Sequence, residues 1–276
     1  DYCFPSRLEE IAILESAMRV NPRDARAPYY LGNLFYDRRR HAEAIRLWEK
    51  SAKLDSQFSI VWRNLGIGYF NILKKPAKAK AAYEKAFHAN PNDARLLYER
   101  DQLWKRLGEK PEKRLRVLGK FPQLISQRDD LSVELCALYN QTGQPEEAVK
   151  ILANREFQPW EGGEGGALGQ HVRAQLALGR AALKNAESGK WKAEIDLAVA
   201  HFQNALTSPR NLSESKHLLA NQSDIHFWLG CALDLLGDKK SAREHWLAAA
   251  NFKGDFQEMS VRAFSEMTYY SALSLE

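Results

Sequence analysis

Apolar residues recur at helical spacing along most of the chain, and the runs come in pairs. Between Val61 and Pro91 (VWRNLGIGYFNILKKPAKAKAAYEKAFHANP), Trp62, Leu65 and Tyr69 share one helical stripe, and Ala79, Tyr83 and Ala86 share a second. Two antiparallel helices joined by a short turn are predicted. Gly66 leaves room for the second helix to approach, Ala79 and Ala86 are small, Tyr83 fills the space between them, and Pro91 ends the unit. A helix pair of this size cannot bury its apolar stripes alone, so it must stack on neighbours.

The same pattern recurs. Ser6–Pro22 (SRLEEIAILESAMRVNP) reads as a lone second helix opened by a capping box of Ser6 with Glu9, and with no starting Met the chain is expected to be a segment of a longer protein. Residues 25–58 place Leu31, Gly32 and Phe35 before Ala44 and Trp48. Residues 59–93 form the clearest unit, with one extra residue near Lys74–Pro76. Residues 94–128 keep Leu97, Tyr98, Leu103, Trp104 and Leu107 but lack the Leu-Gly pair, and their second helix is predicted after Pro111. Residues 129–157 carry Leu135, Tyr139, Ala148 and Leu152.

Four glycines in five positions, Gly162 to Gly166, then break the helical pattern. Helices resume over 168–185 and 193–206, the latter with Ala198, Phe202 and Ala205. A connection over 208–223 leads to a further unit, 223–253, with Leu229, Gly230, Leu233, Ala242, Trp246 and Ala249. Residues 257–275 read as one more helix. The expected organisation is an N-terminal repeat block, 1–157, and a C-terminal block, 158–276, in one continuous stack.

W-x2-L-G-x2-Y, then A-x3-F/Y-x2-A, then Pro, at a period of about 34 residues, resembles the tetratricopeptide repeat. The resemblance covers most of the chain. It implies an all-α, right-handed superhelical solenoid of antiparallel helix pairs and a non-catalytic, protein-binding role. The order DYCFPSRLEE, APYYLGN, PWEGGEGGALGQ, LLANQSDIHFWLG and SEMTYYSAL is more particular. It is similar to the carboxy-terminal repeat region of large uncharacterised bacterial proteins in which a sugar-mutarotase-like β-sandwich precedes the repeats. That similarity implies a carbohydrate-related context for the parent protein.

In the repeat family the first helices line a groove, and the inward positions map here onto Arg26, Tyr29, Asn33, Tyr36 and Asp37, then Arg63, Phe70 and Asn71, then Arg95, Tyr98, Gln102 and Lys105. Arg, Asn and Tyr suit hydrogen bonding to a peptide backbone, a carboxylate or a sugar. Asn33, Asn64 and Arg95 also match three places of the carboxylate clamp of chaperone-docking repeats. Tyr29 and Glu99 stand where two cations belong, so the clamp is rejected.

The glycine-rich loop supplies a second candidate. Trp160 offers a stacking face to a sugar ring or cation, with Glu161, Glu164, Gln170, His171 and Arg173 nearby. Paired carboxylates beside a Trp also occur in glycoside chemistry. The competing reading is a flexible connection between repeat blocks. No phosphate-binding glycine motif is present, and the seven histidines show no metal-ligand spacing. No cofactor is implied, and Trp48, Tyr83, Phe202 and Trp246 read as core.

Composition narrows this further. The 276 residues suit six or seven stacked units, and no apolar run is long enough to span a bilayer. Cys3, Cys136 and Cys231 are far apart and odd in number, which excludes a disulfide framework and a CxxC zinc site, and Cys136 and Cys231 are expected to be buried packing residues in a reduced, cytoplasmic setting. Residues 1–130 carry 26 Lys+Arg against 17 Asp+Glu, and residues 131–276 carry 14 against 18. Much of the excess lies in 74–120, which reads as a solvated face, or as a site for an anionic partner.

The expected function is therefore a non-catalytic scaffold for a protein or peptide segment, or for the preceding domain of the same polypeptide. The alternatives are an accessory region that lends the Trp160 loop to a sugar site, and an anion-binding surface over 74–120, with nucleic acid the less favoured occupant.

Overall fold

The computed structural model describes residues 4–186, 191–252, 255–257, 260–262 and 264–276, so Cys3 lies outside the described residues. The chain forms two compact units, Asp1–Gln127 and Arg128–Glu276. The division falls ahead of the fourth repeat, and the glycine-rich loop lies inside the second unit.

The first unit opens with a single helix, α1 (Glu9–Val20). The expected cap is displaced by one residue: Glu10, not Glu9, reaches back, its Oε2 accepting from the Ser6 and Arg7 amides at 2.6 and 2.7 Å. The helix itself begins at Glu9, so Glu10 is the acid in reach of the two orphan donors. Three helix pairs follow: α2 (Arg26–Asp37) with α3 (His41–Leu54), α4 (Ser59–Ile67) with α5 (Pro76–Ala89), and α6 (Ala94–Arg106) with α7 (Pro111–Leu118). A single turn, α8 (Pro122–Ile125), ends the unit. Pro76 and Pro111 open their helices at positions where an amide would have no partner.

The extra residue of the second repeat is absorbed upstream of its predicted place. α4 ends in a π-turn, Gly68–Ile72, in which the Leu73 amide donates to Gly68 O at 3.1 Å, and Lys74 then takes a left-handed conformation (φ 53°).

The second unit holds α9 (Asp129–Gln141), α10 (Pro145–Ala153), α11 (Gly166–Ala186), α12 (Trp191–Leu206), α13 (Ser223–Leu235) and α14 (Lys239–Ala250). A correction applies to its end. Instead of one helix over 257–275, β1 (Asp255–Gln257) pairs antiparallel with β2 (Ser260–Arg262), and among the described residues of that stretch only α15 (Glu266–Leu273) is helical. Ser265 fixes that start: its hydroxyl accepts from the Met267 amide while Thr268 accepts from the Ser265 amide, a capping box that ends the preceding chain.

One packing device recurs in both units. A Cβ added at Gly66 would sit 2.6 Å from the Tyr83 ring, so the aromatic of the second helix rests directly on the backbone of the first. Gly32 under Trp48 and Gly230 under Trp246 do the same, and so does Gly179 under Phe202, a pair that the sequence pattern had not revealed. The aromatics Trp48, Tyr83 and Phe202 are buried, and Trp246 is half-buried. In the fourth repeat Cys136 takes the glycine's place, and Leu152, not a ring, stands opposite in the same core.

Candidate interaction surface

The first helices of the first unit carry the predicted groove residues, and the structure joins several of them into one polar network. Asn33 Oδ1 on α2 accepts from Trp48 Nε1 at 3.0 Å and from Asn64 Nδ2 on α4 at 2.9 Å. Asn64 Oδ1 in turn accepts from Arg63 at 3.4 Å. Arg63 then forks onto Glu99 of α6 with two bonds of 2.6 Å, and Arg95 and Tyr83 donate to the same carboxylate at 2.9 and 3.3 Å. Burial pushes the Glu99 carboxyl up, but hydrogen bonds and charge from Arg63 and Arg95 outweigh it and hold the group below its ordinary range.

Glu99 therefore occupies two of the four cations of the predicted groove from within, Arg63 and Arg95. Arg63 and Arg95 bind Glu99 instead of presenting two open guanidinium forks. The other predicted residues scatter. Tyr29 is not a groove residue: it is buried, 2% exposed, with its ring edge-on to Phe58. Tyr36 lies half-buried against Trp48 and His41. Gln102 and Tyr98 are half-buried on α6, and the Gln102 side-chain nitrogen is buried with no hydrogen-bond partner among the described residues. Arg26 and Asn71 are exposed, Asn71 on the π-turn.

The basic stretch over 74–120 is partly engaged. Lys80 and Lys113 both bind Glu109, Arg100 pairs with Glu84 and lies 4.2 Å from the Phe87 ring centre, and Lys85 stands over Trp62. Arg114 and Asp101 form a two-pronged ion pair at 3.0 and 2.5 Å with both side chains 3% exposed. The charge excess visible in the sequence is thus partly internal structure.

In the second unit the glycine-rich segment is a defined pair of turns. Gly162 and Gly165 adopt left-handed φ values of 81° and 73°, and the Gly163 and Gly166 amides donate to Trp160 O and Gly163 O. The Trp160 indole folds back onto Gly163, where even a methyl would overlap it, so one face of the ring is spent on its own loop. Phe157, just before, is buried, and its amide donates to Asn211 O at 2.8 Å. The loop residues do not gather around Trp160. Glu161, Glu164 and Arg173 are exposed, whereas Gln170 and His171 turn into the core. Gln170 accepts from Asn140 at 3.0 Å, and His171 donates to Asn204 O at 3.0 Å.

A second polar cluster surrounds the start of α13. Asn221 caps Ser223 at its amide and hydroxyl, and Lys216 Nζ reaches Ala205 O and Gln222 Oε1 at 2.5 and 2.7 Å. His226 and His245 meet Nδ1 to Nδ1 at 2.8 Å. Burial pushes the Lys216 ammonium down to about 8, the Asp224 carboxyl up to about 6, and, with the nearby His245 charge, His226 down to about 4. His171, His201 and His245 are lowered too, chiefly by burial.

These groups give a pH dependence with a definite sign. A histidine whose folded value lies below its unfolded value takes up protons preferentially when unfolded, so the second unit loses stability as pH falls from about 6.5 towards 4. Asp224 acts oppositely between about 4 and 6, because its raised value favours the folded state on acidification. We expect the urea midpoint of the second unit's transition to fall across this window, and Asp224→Asn to steepen the fall. A midpoint that stays level or rises on acidification would contradict the assignment.

Cys136 is buried, its thiol pushed up to about 12 by burial. Cys231 corrects the expectation of a second buried thiol: it is half-buried and lines a cleft of about 690 Å³ between α11 and α13. That cleft is a feature that the sequence reading did not anticipate. Arg180, Leu183 and Lys184 of α11, Trp191 at the start of α12, and Trp228 and Leu235 of α13 border it. The signal was present in Leu178-Gly179, which places Arg180 and Lys184 on the same part of their helix that Asn33 and Asp37 occupy after Leu31-Gly32.

No known protein-family profile matches the chain. Among solved structures, a chain of the Naa15/Naa10 complex bound to HypK-THB aligns over 96% of this chain at 16% identity with a TM-score of 0.53, and this chain covers 36% of its length. A tetratricopeptide repeat protein from Parabacteroides merdae aligns over 96% of this chain and 91% of its own at 14% identity and a TM-score of 0.45. YrrB, a repeat protein with an unusual peptide-binding site, aligns over 87% and 92% at 15% identity and a TM-score of 0.37. The likeness is one of fold: the chain has the tetratricopeptide-type helical solenoid architecture. Among the described residues no helix is long and apolar enough to cross a membrane.

Proposed function

We propose that this chain is a non-catalytic scaffold that holds a protein or peptide segment along the exposed faces of its first helices. The observation that carries the reading is the open cleft between α11 and α13, bordered on both sides by first-helix residues. Helical repeats expose such faces as extended binding surfaces because each repeat packs only on its neighbours. The Naa15/Naa10 neighbour is itself seen in complex with HypK-THB. A preceding domain of the same polypeptide, which the sequence resemblance implies, is one segment of this kind, and a reducing cytoplasmic setting suits the free thiols of Cys136 and Cys231.

The test is site-specific photo-cross-linking in the source cells. A benzoylphenylalanine is placed at Arg26, Asn71 or Lys184 on first-helix faces, and at Lys53 or Lys78 on second helices; all five are exposed. Protein adducts concentrated at the first three positions are the expected result. Adducts formed equally from the second helices, or from none of the five, would overturn the reading.

A further inference from the structure

We infer that the cleft between α11 and α13 is a docking site for an acidic peptide segment that carries an apolar or aromatic side chain; the inference rests on the scaffold reading above. The floor is apolar: Ala177, Ala181 and Leu183 from α11, Leu235 from α13, and the half-exposed Trp191. Trp228 forms a wall, with the Arg180 guanidinium 5.0 Å from its ring centre. An open cleft of about 690 Å³ bordered by two indoles admits a large side chain and offers it aromatic faces to pack on.

Among the described residues that line the cleft, the charge has one sign. Apart from the Cys231 thiol, the ionisable side chains that line the cleft are Arg180 and Lys184, both exposed, and neither makes a salt bridge among the described residues. They lie four apart on α11, so their side chains leave the helix about 6 Å from each other, a spacing that two carboxylates of one peptide can answer. This contrasts with the first unit, where Glu99 already fills the corresponding role between Arg63 and Arg95. Asp234, the nearby acid of α13, is held by Lys239 at 2.7 Å and does not neutralise the cleft.

A single-stranded nucleic acid also stacks on indoles and pairs with cations, but the surroundings disfavour it. Two isolated cations offer no track for successive phosphates, and residues 131–276, with 14 Lys+Arg against 18 Asp+Glu, hold no cationic excess to supply one. A short acidic segment needs only the local pair.

The experiment is a tryptophan-fluorescence titration of the whole chain. The probes are an acetylated dodecapeptide of repeating Glu-Glu-Leu-Phe, its Lys-Lys-Leu-Phe and Ser-Ser-Leu-Phe counterparts, and a dT oligonucleotide of equal length. The expected result is binding of the acidic peptide only, weakened at least about tenfold in Arg180→Glu/Lys184→Glu, with the basic peptide now bound by that variant. Both positions are exposed, so the variant should keep its helical signal, and Trp191→Ala, also at an exposed side chain, should weaken binding independently.

Three results would overturn the inference: equal binding of the acidic peptide by the charge-reversed chain, binding of the oligonucleotide but of no peptide, or no binding of the acidic peptide. If the neutral or basic peptide alone binds, or cross-links still form at the first helices, the scaffold reading stands without this site. If nothing binds and no cross-links form, both fall.

Discussion

Arg114→Ala should destabilise the first unit by about 3–5 kcal/mol, one of the two largest effects expected of a single substitution here. Asp101 and Arg114 are both 3% exposed and share two hydrogen bonds across α6 and α7. Removing the guanidinium takes away the two-pronged partner of a buried carboxylate, so less of its desolvation is offset. The informative comparison is the pair of variants. Asp101→Ala alone should be costly for the reciprocal reason, whereas Asp101→Leu/Arg114→Met, which replaces both charges with apolar side chains, should return most of the loss. Chemical-denaturation midpoints followed by circular dichroism would measure all four states. If the double substitution is as damaging as either single alanine, the pair contributes through its shape and not through its charge, and the argument from desolvation is wrong.

The same pair shows why half of the candidate site was not legible in the sequence. Net charge over 74–120 counts Arg114, Arg100, Lys80 and Lys113 as a basic surface, but each has its acid on another turn or another helix, at Asp101, Glu84 and Glu109. Sequence distance hides these pairings. Glu99 is the sharpest case. It reads as a residue that spoils a carboxylate clamp, and in the structure it is the carboxylate, binding Arg63 thirty-six positions away. Gln170 and His171 were misplaced for a different reason. Their proximity to the glycine-rich loop suggested a shared site, but α11 begins at Gly166, and its helical phase puts both on the buried stripe with Ala167 and Ala174.

What was legible is the part written as packing between adjacent helices. Leu-Gly followed by a spaced aromatic is a local code, because the glycine and the ring that covers it lie on two helices joined by one short turn. Leu178-Gly179 escaped notice since α11 runs for 21 residues, and the pair sits well past the point where a repeat's first helix was expected to carry it.

That pair supports the second large effect. A Cβ at Gly179 would lie 2.4 Å from a Phe202 ring carbon, and Phe202 is fully buried, with 0% exposure. Gly179→Ala should therefore cost about 1–3 kcal/mol through overpacking, despite the gain in helix propensity that the same change brings at an exposed position. Phe202→Leu alone should also be destabilising, because a smaller side chain leaves part of the ring's volume empty. Together they should cost less than the sum of the singles. The fourth repeat already contains that solution, with a Cβ-bearing Cys136 at the glycine position and Leu152 opposite it in one buried cluster. A double-mutant cycle on the second unit, read from urea midpoints, gives the coupling directly. A coupling that favours the double variant means that glycine and ring are chosen as a pair, and that the repeat tolerates either pair. Strict additivity would mean that the backbone at Gly179 responds to something other than the Phe202 ring.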